Sequence, residues 1–169
     1  MSKSAKSLLP SGEGGEPKGV PKDPRPSGRA AGSPDEGGAL ADLFAAARAA
    51  QANAYAPYSR FKVGAALRSE SGAIFSGCNV ENAAYPQGSC AEAGAIAAMA
   101  LAGERRIAEI LVIGDGEGLC TPCGGCRQRI REFADARTWV YVAGPDGVRA
   151  AFALNELLPE SFGPGHLSA

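Results

Sequence analysis

No apolar run in this chain approaches the roughly 20 residues that a bilayer-spanning helix needs. No apolar stretch follows the first methionine in the manner of a secretion signal. Both absences read as a soluble, cytoplasmic protein with no membrane partner. Net charge is also missing: 17 Lys and Arg against 18 Asp and Glu leave −1. A polynucleotide-binding domain normally announces itself by a basic surface, so nucleic acid is not the expected partner. Histidine is nearly absent. His166 is the only one, and it lies in the C-terminal tail, a poor place for a metal ligand.

Aromatic residues are absent from the first 38 positions, where 8 Gly, 6 Pro and 6 Ser stand instead. Such a stretch buries too little apolar surface to offset its ordering entropy, which predicts a disordered arm over 1–38 and a folded domain over 39–169. The rest of the chain suits one domain with an ordinary core, since 45% of all residues are hydrophobic and 21% charged.

What the sequence does have is five cysteines, unevenly placed. Cys90 stands two residues before a carboxylate, in S-C-A-E-A-G-A-I. Cys123 and Cys126 form a C-x-x-C pair in T-P-C-G-G-C-R-Q. In a reducing compartment cysteines favour metal over disulfides. Thiolates suit zinc, and three protein ligands leave a fourth tetrahedral position open. A carboxylate there, Glu92, is what a hydrolytic site needs to move protons. Cys120 complicates the ligand set, because C-T-P-C has the same spacing as C-G-G-C. Glycine between ligands favours a tight turn, and proline suits the first turn of a following helix. These features select Cys123 and Cys126, leaving Cys78 and Cys120 as spare thiols. The competing reading is a closed zinc site used only for folding. It lacks a fourth nearby Cys or His other than Cys120, and it leaves Glu92 unexplained.

Periodicity places these motifs. Leu40, Leu43, Phe44 and Ala47 recur at helical spacing, predicting a helix over Leu40–Tyr55 before Pro57. Phe61–Leu67 and Ala73–Asn79 read as strands joined by a hairpin turn at Ser69–Gly72. An alanine-rich helix runs from Cys90 to about Ala102, and Ile107–Ile113 is a strand buried on both faces. Cys123 opens a helix to about Phe133, Trp139–Ala143 is a further strand, and a short helix covers Ala153–Leu158. A hairpin followed by alternating helices and strands implies an α/β domain whose mixed sheet carries helices on both faces. Both cysteine clusters fall at helix starts, where unpaired N–H groups favour thiolate over thiol.

C-A-E…P-C-G-G-C-R-Q resembles the cytidine deaminase family, specifically its three-cysteine zinc branch, a pattern of the kind described for zinc deaminases generally. F-K-V-G-A-A-L, N-V-E-N-A-A-Y-P and the terminal L-L-P-E-S-F-G-P-G-H-L match further family segments, so the resemblance runs from Leu40 to Leu167. It implies a three-layer α/β/α sandwich on a five-stranded mixed sheet and one zinc per subunit on Cys90, Cys123 and Cys126. It implies hydrolytic deamination of cytidine and 2′-deoxycytidine in pyrimidine salvage. Glu92 would take a proton from water, deliver it to ring N3, and later carry one to the departing amine. Carried over by position, Phe61 belongs to the base pocket, Asn79 and Glu81 to the ribose site, and Ala91 to the pyrimidine edge. Tyr85 lies near a subunit boundary. Phe162 stacks on a base in a neighbouring subunit of a homotetramer.

Three thiolates around a dication leave a net charge of −1, which a cation must offset. Arg127, directly after Cys126, is the obvious one. Many three-cysteine relatives carry another arginine directly after Cys-Ala-Glu, where this chain has Ala93. Rival readings are a zinc aminohydrolase for another small molecule, such as an aminonucleoside antibiotic, a non-enzymatic zinc protein, or a nucleic-acid-editing deaminase. Glu92 argues against the second and the near-zero charge against the third.

Overall fold

A computed structural model describes residues 38–167. The arm expected over 1–38 lies outside them apart from Gly38, which already belongs to the first helix, α1 (Gly38–Ala52). Leu43 and Ala47 on α1 are fully buried, as their spacing predicts. The helix ends three residues before the expected Tyr55. Tyr55 instead donates its N–H to the Asn79 carbonyl (3.0 Å) and accepts from the Glu81 N–H (2.8 Å), so cross-chain pairing competes with a further helical turn.

The hairpin follows as β1 (Val63–Ser69) and β2 (Ile74–Cys78), both starting later than predicted. Pairing with β3 begins at Val63, opposite Gly114, whereas Lys62 gives its N–H to the Asp115 carboxylate. The turn lies where expected, with Gly72 at φ +90° and its N–H on the Ser69 carbonyl. Then come α2 (Ala91–Leu101), β3 (Ile107–Gly114), α3 (Gly124–Phe133) and β4 (Trp139–Gly144). A fifth strand, β5 (Gly147–Ala153), precedes a short helix, α4 (Leu154–Leu157). No described helix is long and apolar enough to cross a membrane.

The sheet order is β2-β1-β3-β4-β5. Only β3 and β4 run parallel, with α3 as their crossover; the other three pairs are antiparallel. Strand β3 alternates between two buried faces, as a central strand covered on both sides must. Ile110 and Val112 join Ala65, Leu67 and Val140 under α2 and α3. Leu111 and Ile113 join Ala66 and Ala143 under α1. The result is the expected α/β three-layer arrangement. It brings the starts of α2 and α3 together beyond the ends of β2 and β3, where open α/β sheets commonly place ligands.

Candidate metal centre

Cys90 and Cys123 each occupy the residue before a helix, in extended conformation (φ −78°, ψ 156° and φ −64°, ψ 164°). Each sulfur therefore stands at the end of a helix where unpaired N–H groups collect, and the Cys126 N–H acts on the Cys123 sulfur. Cys126 follows in the first turn of α3 and is fully buried. The Sγ atoms of Cys90, Cys123 and Cys126 all lie within 4.8 Å of one another. Cys90 Sγ and Cys123 Sγ stand 3.7 Å apart. Two sulfurs each about 2.3 Å from a tetrahedral zinc stand about 3.8 Å apart, so the donor set and its spacing fit that ion. Cys120 stays outside the cluster. Its Sγ packs against Gly114 and faces the adjoining cleft.

The thiols differ in acidity. Burial pushes Cys90 above the usual range, and burial with the Glu92 charge pushes Cys126 further up. Burial acts the same way on Cys123, but the Cys126 N–H and the Cys126 and Cys90 thiols outweigh it and bring Cys123 down. Glu92, in the first turn of α2, is 3% exposed. Burial raises its carboxyl above the ordinary range, against smaller opposing effects of its own N–H, the Cys126 thiol and the Arg129 charge. Burial that favours the protonated form makes proton uptake easier than at an exposed carboxyl, which suits acid–base work.

Cys90, Ala91, Glu92 and Cys123 line a cleft of 370 Å³, together with Asn79, Glu81 and Tyr85. A second cleft of 410 Å³ adjoins it, sharing Glu81 and Tyr85 and adding Tyr58 and Ser59. Asn79 Oδ1 accepts the Val63 N–H (2.8 Å), and its Nδ2 donates to the Phe61 carbonyl (2.9 Å). Glu81 accepts the N–H groups of Tyr58 (2.8 Å) and Ser59 (3.2 Å). The Ser59 side chain and these two N–H groups hold the Glu81 carboxyl below its usual range, against desolvation. Both side chains therefore tie the 58–63 segment to the wall of the cleft as well as facing it.

Three sequence-predicted residues stand apart within the single chain. Phe61 is 41% exposed, with its ring tip near Gly114 at the edge of the cleft and not among its lining residues. Phe162, 57% exposed, stacks on His166 with ring centroids 4.9 Å apart, and its carbonyl accepts from Gln128 Nε2. Arg127 donates to oxygens, and among the described residues none of its hydrogen bonds goes to a sulfur. Its guanidinium donates to the carbonyls of Pro122 (2.7 Å) and Leu157 (2.8 Å) and to Thr121 Oγ1 (3.2 Å), bracing the loop that carries Cys123. Cys120, expected as a spare thiol, lines the cleft, and so do Thr121 and Val63, which the sequence reading does not single out. Only chain proximity to C-x-x-C signals Thr121, and nothing local signals Val63.

Comparison with known proteins gives a consistent result. The model of the cytidine and deoxycytidylate deaminase zinc-binding region matches residues 39–143. A cytidine deaminase of Sporosarcina psychrophila is 41% identical over 126 residues, which is 75% of this chain and 93% of that protein. The cytidine deaminase of Mycobacterium tuberculosis strain H37Rv is 38% identical over 115 residues, covering 68% and 82%. Among solved structures, cytidine deaminase from Burkholderia pseudomallei superposes with a TM-score of 0.68 at 43% identity, covering 72% of this chain and 98% of that one. The Mycobacterium tuberculosis enzyme gives 0.62 at 36% identity, covering 73% and 96%.

Proposed function

The chain belongs to the cytidine and deoxycytidylate deaminase family, and from that premise we propose that it converts cytidine and 2′-deoxycytidine, with water, to uridine and 2′-deoxyuridine plus ammonia. The observation that carries this reading is the buried Glu92 beside three converging cysteine sulfurs at one cleft. Cys90, Cys123 and Cys126 hold one zinc, which supplies the Lewis acidity that makes water a competent nucleophile at neutral pH.

Glu92 moves the protons. It accepts one from the attacking water and places it on ring N3, which makes C4 electrophilic. Once the C4–oxygen bond has formed, the same carboxyl takes the remaining proton from that oxygen and carries it to the amine, which leaves as ammonia when the C4–nitrogen bond breaks and the C4 carbonyl forms. Its burial supports this double duty, because desolvation penalises the ionised form and eases proton uptake. Backbone groups at Ala91 and Cys123 read the pyrimidine edge, Phe61 flanks the base, and Asn79 and Glu81 take the ribose hydroxyls. The 370 Å³ cleft is of a size suited to a nucleoside.

The working form is a homotetramer in which Phe162 of one subunit closes over the base held by another. Support comes from the large exposed rings of Tyr85 (77%) and Phe162 (57%), which each meet one other ring, Tyr58 and His166, and leave the rest of their apolar surface open. A site built on three thiolates needs reduced cysteines, which favours a cytoplasmic role in pyrimidine salvage. Ammonia release from a panel of cytidine, 2′-deoxycytidine and aminonucleoside compounds tests the proposal. Turnover of the two cytosine nucleosides supports it; turnover of an aminonucleoside alone would replace it with a different aminohydrolase.

A further inference from the structure

Helix α3 carries three arginines, and two of them are committed elsewhere. Arg127 donates to Pro122, Leu157 and Thr121. Arg131 lies one turn further along the same face, donating to Ser161 Oγ (3.0 Å) and the Ala134 carbonyl (3.3 Å). Both spend their charge on loop oxygens and on the C-terminal segment.

Arg129 faces the other way. It lies three residues beyond Cys126 and four beyond Gly125, positions that share a helix face. Long side chains on a helix lean toward its N-terminus, so this one reaches back over the first turn. A methyl group placed on Gly125 would stand 3.2 Å from Arg129 Nη1. Arg129 Nη1 therefore lies against Gly125, in room left by the missing Cβ of the residue that precedes Cys126. Among the described residues it makes no hydrogen bond or ion pair of its own.

We propose that Arg129 is the charge-balancing residue of the metal centre, reaching over Gly125 to offset the negative charge of three thiolates and Glu92. This rests on the zinc deaminase reading above. Metal capture by cysteines releases thiol protons, and three thiolates around a dication carry −1. A nearby cation favours that filled, anionic state over the protonated empty one. Position 93, beside Glu92 on α2, is occupied by alanine and contributes no charge.

The test uses the full chain loaded with zinc. Wild type, Arg129→Gln and Arg129→Lys are compared by chelator competition at fixed pH, in low salt and near 1 M salt, with ammonia release from cytidine measured alongside. Arg129→Gln should hold zinc about two- to tenfold more weakly at low salt, the range of a partly exposed charge interaction. Arg129→Lys should recover most of the loss, and the gap should close near 1 M salt, where the screening length is about 3 Å. A glutamine variant with wild-type zinc affinity at low salt overturns the inference alone. So does a loss that lysine fails to restore and salt leaves unchanged, because that would mark a packing role. A wild-type chain that neither holds zinc nor releases ammonia overturns the deaminase reading and the inference with it.

Discussion

Replacing Gly77 with alanine should damage the metal centre from a distance. Gly77 lies on β2 opposite Ala65, on the face that packs against α2. A Cβ there would meet the Ala95 nitrogen at 2.4 Å, the Ala91 oxygen at 2.6 Å and the Gly94 carbonyl carbon at 2.7 Å. All three are backbone atoms, so no rotamer change relieves them. To restore ordinary contact, near 3.4 Å, α2 must withdraw by about 1 Å. Cys90 and Glu92 move with it, while Cys123 and Cys126 stay with α3. Overpacking of this kind costs about 1–3 kcal/mol, and with a urea slope of about 1–3 kcal/mol/M the unfolding midpoint should fall by roughly 1 M. A displacement of about 1 Å at a reacting group can lower turnover about a hundredfold. Gly94→Ala is the matched control. Its Cβ would meet the Gly77 Cα at 3.4 Å, an ordinary contact, while alanine raises helix propensity by up to about 1 kcal/mol. Gly94→Ala should therefore be neutral or slightly stabilising. If Gly77→Ala unfolds at the wild-type urea concentration with full turnover and zinc content, the close packing of β2 on α2 does not hold the site.

Three further outcomes follow from the site. Glu92→Gln should keep zinc and nucleoside affinity yet lose about 10²–10⁴-fold in turnover, and more than a tenth of wild-type activity would move the proton work to another group. Elemental analysis should find zinc retained in Cys120→Ser, whose sulfur faces the cleft, and lost in Cys123→Ser, whose sulfur stands 3.7 Å from Cys90 Sγ; the reverse pattern would reassign the ligands. Phe162→Ala should weaken nucleoside binding by roughly ten- to a hundredfold with zinc unchanged, taking about 1–3 kcal/mol for base–aromatic stacking. Co-assembly with Glu92→Gln subunits should restore part of that activity, and no recovery despite confirmed subunit exchange would place the ring outside a neighbouring site.

The sequence alone made the metal cluster legible because its ligands come in short motifs at helix starts. C-A-E and P-C-G-G-C each combine a thiol with a local backbone requirement, and both helices begin one residue after the expected cysteine. Strand β5 was not located, although five strands were expected by resemblance. Its V-R-A-A-F-A lacks alternation, and alanine is a poor strand former. The usable signal was the P-D-G turn, which forms a two-residue hairpin with Gly147 at φ +133°. Periodicity extends the first helix to Tyr55 because it cannot register the distant segment, Asn79 and Glu81, that captures the Tyr55 backbone. Arg127 and Arg129 are equally charged neighbours on paper. Helical rotation puts them on different faces of α3, and the oxygens that occupy Arg127 come from Pro122, Thr121 and Leu157, the last of them remote in sequence.

In the proposed reaction, zinc on Cys90, Cys123 and Cys126, with Glu92 beside it, is what turns cytidine into uridine. Conversion of cytidine by the purified full chain should be followed before chelation, after removal of metal, and after return of one equivalent of zinc. Activity should disappear with the metal and return with the zinc. Undiminished uridine formation by the zinc-stripped chain would show that the metal takes no part in the reaction.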